Sequence, residues 1–61
     1  MARFKVTYQD GTNEVIEANL HVDGEEWTEF LGPELDAAGN PASKALIRMA
    51  TITRIDLVAG T

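Results

Sequence analysis

His21 is the only histidine in a chain of 61 residues that contains no cysteine. These two facts narrow the available chemistry. No thiolate can act as a nucleophile or hold zinc. Nucleophilic catalysis built on imidazole would have to use His21. Strand alternation puts His21 beside Glu17 and Asn19, on the face opposite Leu20. The expectation is therefore a solvated surface imidazole, and one histidine cannot make a multi-histidine metal centre. Asp23, Glu25 and Glu26 form the densest carboxylate cluster. They fit neither the spacing nor the length of a calcium loop and read as a solvated turn. Gly11 and Gly24 sit in turns, Gly32 and Gly39 in a long loop and Gly60 at the chain end, so no glycine-rich phosphate cradle forms. The sequence thus predicts a protein that is not an enzyme and uses no cofactor or metal.

Binding is the remaining function, and charge gives it a direction. Ten acidic and five basic side chains leave a formal charge of −5. Nine of the ten acids lie between Asp10 and Asp36, a stretch without Lys or Arg. Such a charge favours solubility, and its clustering also offers an acidic face to a basic partner. Trp27 is the only tryptophan, a residue type enriched at interface hot spots. With only four aromatic residues in the chain, Trp27 also qualifies as core. The candidate partner-binding set is Trp27 with Glu14, Glu17, Glu25, Glu26 and Glu29. A second reading uses Arg3, Lys5, Arg48 and Arg54 as a basic stripe for nucleic acid, since phosphate contacts need positive charge. The net charge and the lack of outward aromatic platforms weigh against it. A third reading is self-assembly, making a homo-oligomer through exposed strand edges or through Val15 and Val58.

These residues must be positioned by a small fold. A chain this short buries only about 60% of its unfolded surface, so its stability margin is narrow. Its length allows one domain, residues 1–61. No apolar run approaches the ~18 residues of a membrane span, and the first residues do not resemble a signal peptide. The expected location is the cytoplasm, or the host cytoplasm for a phage protein.

Phe4, Val6 and Tyr8 alternate with Lys5 and Thr7, which indicates a half-buried strand. Asp10-Gly11 is a hairpin signal. A second strand is expected over Thr12–Val22, with Ile16, Ala18, Leu20 and Val22 on one face. At eleven residues it must bend. Asp23-Gly24 supplies another turn. Residues 25–31 fit a strand better than a two-turn helix. Gly32–Ser43 has loop chemistry throughout, although Asn40-Pro41 also suits the start of a short helix over Pro41–Ala50. Lys44–Met49 and Arg54–Ala59 alternate again. A tight turn over Ala50–Thr53 would send Ile52 and Ile55 inward.

The predicted fold is all-β, a five-stranded antiparallel SH3-like barrel. The alternative is an α+β domain with an N-terminal hairpin and one or two short helices. The expected core is Phe4, Val6, Tyr8, Ile16, Ala18, Leu20, Phe30, Ile47, Met49, Ile52, Ile55 and Leu57.

The run Arg3-Phe4-Lys5-Val6-Thr7-Tyr8, then Asp10-Gly11-Thr12, Glu14, Glu17-Ala18 and Trp27-Thr28-Glu29-Phe30, continues in Leu46-Ile47-Arg48-Met49-Ala50 and Ile52-Thr53-Arg54-Ile55. This pattern resembles small uncharacterised β-domain proteins of actinobacteria and their bacteriophages, over most of the chain except Gly32–Ser43. The resemblance implies a compact β domain and a phage accessory protein that binds a host protein. It implies no site residues.

Overall fold

The computed structural model describes residues 1–59. Gly60, placed by the sequence reading at the chain end, lies outside the described residues. Six strand segments follow one another: β1 (Ala2–Tyr8), β2 (Asn13–Ala18), β3 (Leu20–Asp23), β4 (Trp27–Leu35), β5 (Pro41–Arg48) and β6 (Ile52–Ala59). A single 3₁₀ turn, Met49–Thr51, joins β5 to β6. The described residues contain no α-helix, so the α+β alternative and the helix over Pro41–Ala50 are both overturned.

The strands form two antiparallel three-stranded sheets. Sheet A has the order β2-β1-β6 and sheet B the order β3-β4-β5. The Asp10-Gly11 hairpin forms as expected. Gly11 adopts φ +89°, and its N–H donates to the Tyr8 carbonyl at 3.0 Å. The Asp10 carboxylate accepts from the Thr12 backbone N–H at 2.9 Å and from its hydroxyl at 2.6 Å. Those bonds hold the Asp10 carboxyl below its usual range.

The expected second strand is two segments. Asn19 interrupts it, and its backbone N–H donates to the Leu31 carbonyl at 2.7 Å. Ala18 ends β2 in sheet A, and Leu20 opens β3 in sheet B. The extra residue reverses the alternation. Ala18 faces the core, but so does His21, while Leu20 and Val22 turn outward. A single inserted residue does this because side chains alternate with a period of two.

The Gly32–Ser43 loop is also corrected. β4 continues through Gly32-Pro33-Glu34 to Leu35, and β5 begins at Pro41 opposite Leu35. Only Asp36–Asn40 turns. The Asp36 carboxylate accepts from the Ala38 and Asn40 backbone N–H groups at 2.9 and 3.0 Å. Pairing across the hairpin overrides the local loop signals; Pro33 falls within the register shift between Leu31 and Leu35, and Pro41 is the first residue of its strand. The turn after β3 lies at Glu25-Glu26, where the Gly24 N–H donates to the Trp27 carbonyl at 2.7 Å.

The molecule measures 36 × 26 × 13 Å. Stacked sheets lie about 10 Å apart, so there is room for one layer of side chains between them. Phe4, Val6, Ala18 and Phe30 are the buried apolar residues of that layer. Ala2, Tyr8, Ile16, Ala45, Ile47, Ile52 and Ile55 pack around them. The tight turn expected over Ala50–Thr53 lies at Met49–Thr51 instead, so Ile52 and Ile55 both stand on β6, and the register shift between them at Thr53 turns both inward. Three expected core residues fall outside this group. Leu20 faces away after the break at Asn19. Met49 is half-buried in the turn. Leu57 pairs in register with Phe4 yet remains 64% exposed, because it lies on the edge strand of sheet A.

Candidate functional site

The outer face of sheet B is where the aromatic and acidic residues meet. On β4, Thr28 and Phe30 point into the core, so Trp27, Glu29 and Leu31 point out. Register pairs Leu31 with Leu20, Glu29 with Val22 and Leu46, and Trp27 with Arg48. The face is therefore three rows deep: Leu20 and Leu31, then Val22, Glu29 and Leu46, then Trp27 and Arg48. Leu20, Val22, Trp27 and Leu46 are 45%, 53%, 40% and 56% exposed. Together they expose apolar surface around Glu29 on the order of 400 Å², comparable to the largest patch of an ordinary monomer, which is often functional. The Arg48 guanidinium carbon lies 5.3 Å from the centre of the Trp27 ring, within cation–π range. That contact fixes the indole against the sheet.

Two of the acidic candidates border this face. Glu25 and Glu26 form the turn before Trp27, and the Glu26 carbonyl accepts the Met49 N–H at 2.7 Å, which ties the turn to the end of β5. Glu29 stands within the patch. The other two lie on sheet A. Glu14 is opposite Val6, and its carboxylate accepts the Tyr8 hydroxyl. Burial first, then that bond and the neighbouring negative charge, push the Tyr8 phenol up to about 12. Glu17 lies opposite Arg3 on the outer face of sheet A. The acidic segment is thus divided between two sheets, and only Glu25, Glu26 and Glu29 stand with Trp27.

The basic residues are divided as well. Arg3, Lys5 and Arg54 share the outer face of sheet A, interleaved with Glu17 and Asp56. The Arg54 guanidinium donates to Asp56 at 2.7 Å. Arg48 is on sheet B over Trp27. No continuous basic stripe results.

His21 is not the solvated histidine expected from alternation. Its ring packs edge-on to Phe4 at 5.1 Å and lies 5.6 Å from Phe30. Its Nδ1 lies 2.8 Å from the Asp23 carboxylate, which also accepts the buried Thr28 hydroxyl at 2.6 Å. The Thr28 bond first and the His21 bond second hold the Asp23 carboxyl below its usual range. The order is hydroxyl, carboxylate, imidazole. A nucleophilic triad needs the imidazole in the middle, touching the hydroxyl. This network closes the β3–β4 hairpin instead.

Among the described residues, no three His, Asp or Glu side chains gather as a metal site would require. No family model matches the chain, and no curated protein or solved structure matches it with significance. Geometry is therefore the basis for assigning the site. The sequence offered Trp27, Glu14, Glu17, Glu25, Glu26 and Glu29 as candidates; Leu20, Val22 and Leu46, exposed on the face that carries Trp27, were not among them. The first two were assigned to the core by unbroken alternation. Leu46 did carry a signal, since it alternates with Ala45 and Ile47 on the face shared with Arg48.

Proposed function

We propose that this chain is a non-enzymatic protein-binding module whose working surface is the outer face of sheet B. The observation that carries this reading is the grouping of Leu20, Val22, Trp27 and Leu46 around Glu29 on one sheet face, exposed on a domain with few buried apolar residues. Water-exposed apolar area of this extent is costly and is relieved when a partner covers it. Glu25 and Glu26 border the face and Glu29 stands within it, so the fitting partner is an apolar protein surface that carries basic groups. Trp27, held by Arg48, is the anchor.

The fold supporting this face reads as an SH3-like small barrel. Three features favour it: a second strand bent across both sheets, a 3₁₀ turn between the last two strands, and pairing of the last strand with the first. The likeness to small actinobacterial and phage proteins makes a phage accessory factor acting on a host protein in the cytoplasm the biological version of this reading. The interleaved charges of sheet A favour it over nucleic-acid binding.

The test is a differential affinity capture from actinobacterial lysate. Wild-type protein is compared with Val22→Glu/Leu46→Glu, which changes two exposed positions. The reading expects a partner retained by wild type, lost with the variant and weakened by salt. Recovery of the same proteins by both baits would overturn it.

A further inference from the structure

We infer that β6 is a homodimerisation edge, at which two copies pair antiparallel and join their A sheets into one six-stranded sheet. Four strands lie at sheet edges: β2 and β6 in sheet A, β3 and β5 in sheet B. An edge meets its own copy across a two-fold axis, so its charges must complement themselves. β2 carries Glu14 and Glu17 and no cation. β5 carries Lys44 and Arg48 and no carboxylate. β3 is four residues long and has Asp23 as its only carboxylate and no Lys or Arg. Only β6 carries one of each, Arg54 and Asp56, on either side of Ile55.

That spacing sets the register. With Ile55 opposite Ile55 of the second copy, Arg54 of each chain lies opposite Asp56 of the other. Arg54, which donates to Asp56 of its own chain, then also reaches Asp56 of the second copy, and the two-fold axis makes this cross-strand pair twice. Thr53 then faces Leu57, and Ile52 faces Val58. Register shifts against β1 fall near Thr53 and Val58, which leaves Arg54–Leu57 as a regular stretch between them. The central pairs, Arg54–Asp56 of each copy, fall within that stretch.

The same arrangement accounts for Leu57. Its register position opposite Phe4 puts it on the core side of sheet A, yet it is 64% exposed and its neighbour Val58 is 57% exposed. Among the described residues, β6 has a strand neighbour on one side only. A second β6 supplies the other neighbour, with Thr53 opposite Leu57, Ile55 diagonal to it and Ile52 opposite Val58. The interface is short, below the standard size for stable complexes, so dimerisation belongs in the range of roughly 10 µM to 1 mM.

Sedimentation equilibrium of the full chain up to ~1 mM, at about 0.15 M salt, tests this. Wild type is expected to dimerise. Asp56→Arg and Arg54→Asp each place like charges opposite one another twice. Each alone should weaken the dimer about tenfold or more. An equimolar mixture of the two variants restores opposite charges and should recover wild-type association as a heterodimer. Leu57→Lys, at an exposed position, is a second disrupting variant, and thermal melts confirm that each variant is folded. Leu46→Glu on sheet B should leave association unchanged, which separates this edge from the proposed binding face. A wild-type monomer throughout the range overturns the inference. So does association that ignores the charge changes, or single variants that fail to recover on mixing.

Discussion

Phe30→Ala should remove most of the folded population. Phe30 is fully buried at the centre of a one-layer core. Its ring lies 5.8 Å from Phe4 and 5.6 Å from His21. Truncating a buried phenylalanine costs about 3–5 kcal/mol, from lost transfer energy and the cavity left behind. Each lost aromatic contact adds to the upper part of that range. At roughly 0.05–0.15 kcal/mol per residue, a 61-residue chain has about 3–9 kcal/mol in total. The substitution therefore consumes much or all of the margin. Leu57→Ala is the matched control, because that side chain is 64% exposed in the monomer. It should cost under about 0.5 kcal/mol, or less than about 4 °C in melting temperature. Far-UV circular dichroism melts at low micromolar concentration, where association is minor, give both values. Phe30→Leu keeps most of the volume and should remain folded, with a loss of about 1–2 kcal/mol. A Phe30→Ala protein that melts within about 4 °C of wild type would refute the placement of the core. Equal losses at Phe30 and Leu57 would do the same.

Other outcomes follow from local contacts. Trp27→Ala should destabilise clearly less than Phe30→Ala, by about 1–2 kcal/mol, because its ring packs on one side only; a loss of 4 kcal/mol in urea unfolding would contradict its outward placement. The depressed Asp23 carboxyl contributes stability that is present above the usual aspartate range and is lost as pH falls through its lower folded value. Thr28→Val, which removes the main cause, should therefore flatten the acid limb of a stability–pH curve below about pH 4. Tyr8 has the opposite sign. Its phenol is raised from 10.0 to about 12, so stability should decline as pH rises between those values, and Tyr8→Phe should abolish that decline in alkaline titrations. Gly11→Ala should cost about 1–2 kcal/mol by strain alone, since Gly11 has φ +89° and open space around its Cα; a neutral result in thermal melts would show that the turn relaxes.

What sequence alone determined was the local rhythm. The alternation in Phe4–Tyr8 and Lys44–Arg48 and the Asp10-Gly11 turn depend on near neighbours, and each appears in the structure. So does the strand around Trp27-Phe30. A tight turn before the last strand also forms, but at Met49–Thr51, and pairing with β1 rather than the turn sends Ile52 and Ile55 inward. The absence of cysteine and the division of charge are also properties of composition. Tertiary structure decided the rest. Gly32–Leu35 became strand because β5 pairs beside it, a contact that local turn chemistry does not encode. Asn19 broke one long strand because its N–H reaches Leu31, on the neighbouring strand. Every side chain from Leu20 to Val22 then changed sides, turning a half-buried His21 onto Phe4 and Phe30 and Leu20 and Val22 onto the candidate binding face. Alternation is a relative signal. It says which residues share a face, whereas only the packing of two sheets says which face meets water and where an inserted residue reverses the count.

Sheet hydrogen bonding through Asn19 governs every claim about which side chains are presented to a partner. Solvent-exchange or labelling data that found Val22 protected and His21 freely reactive would undo the assignment.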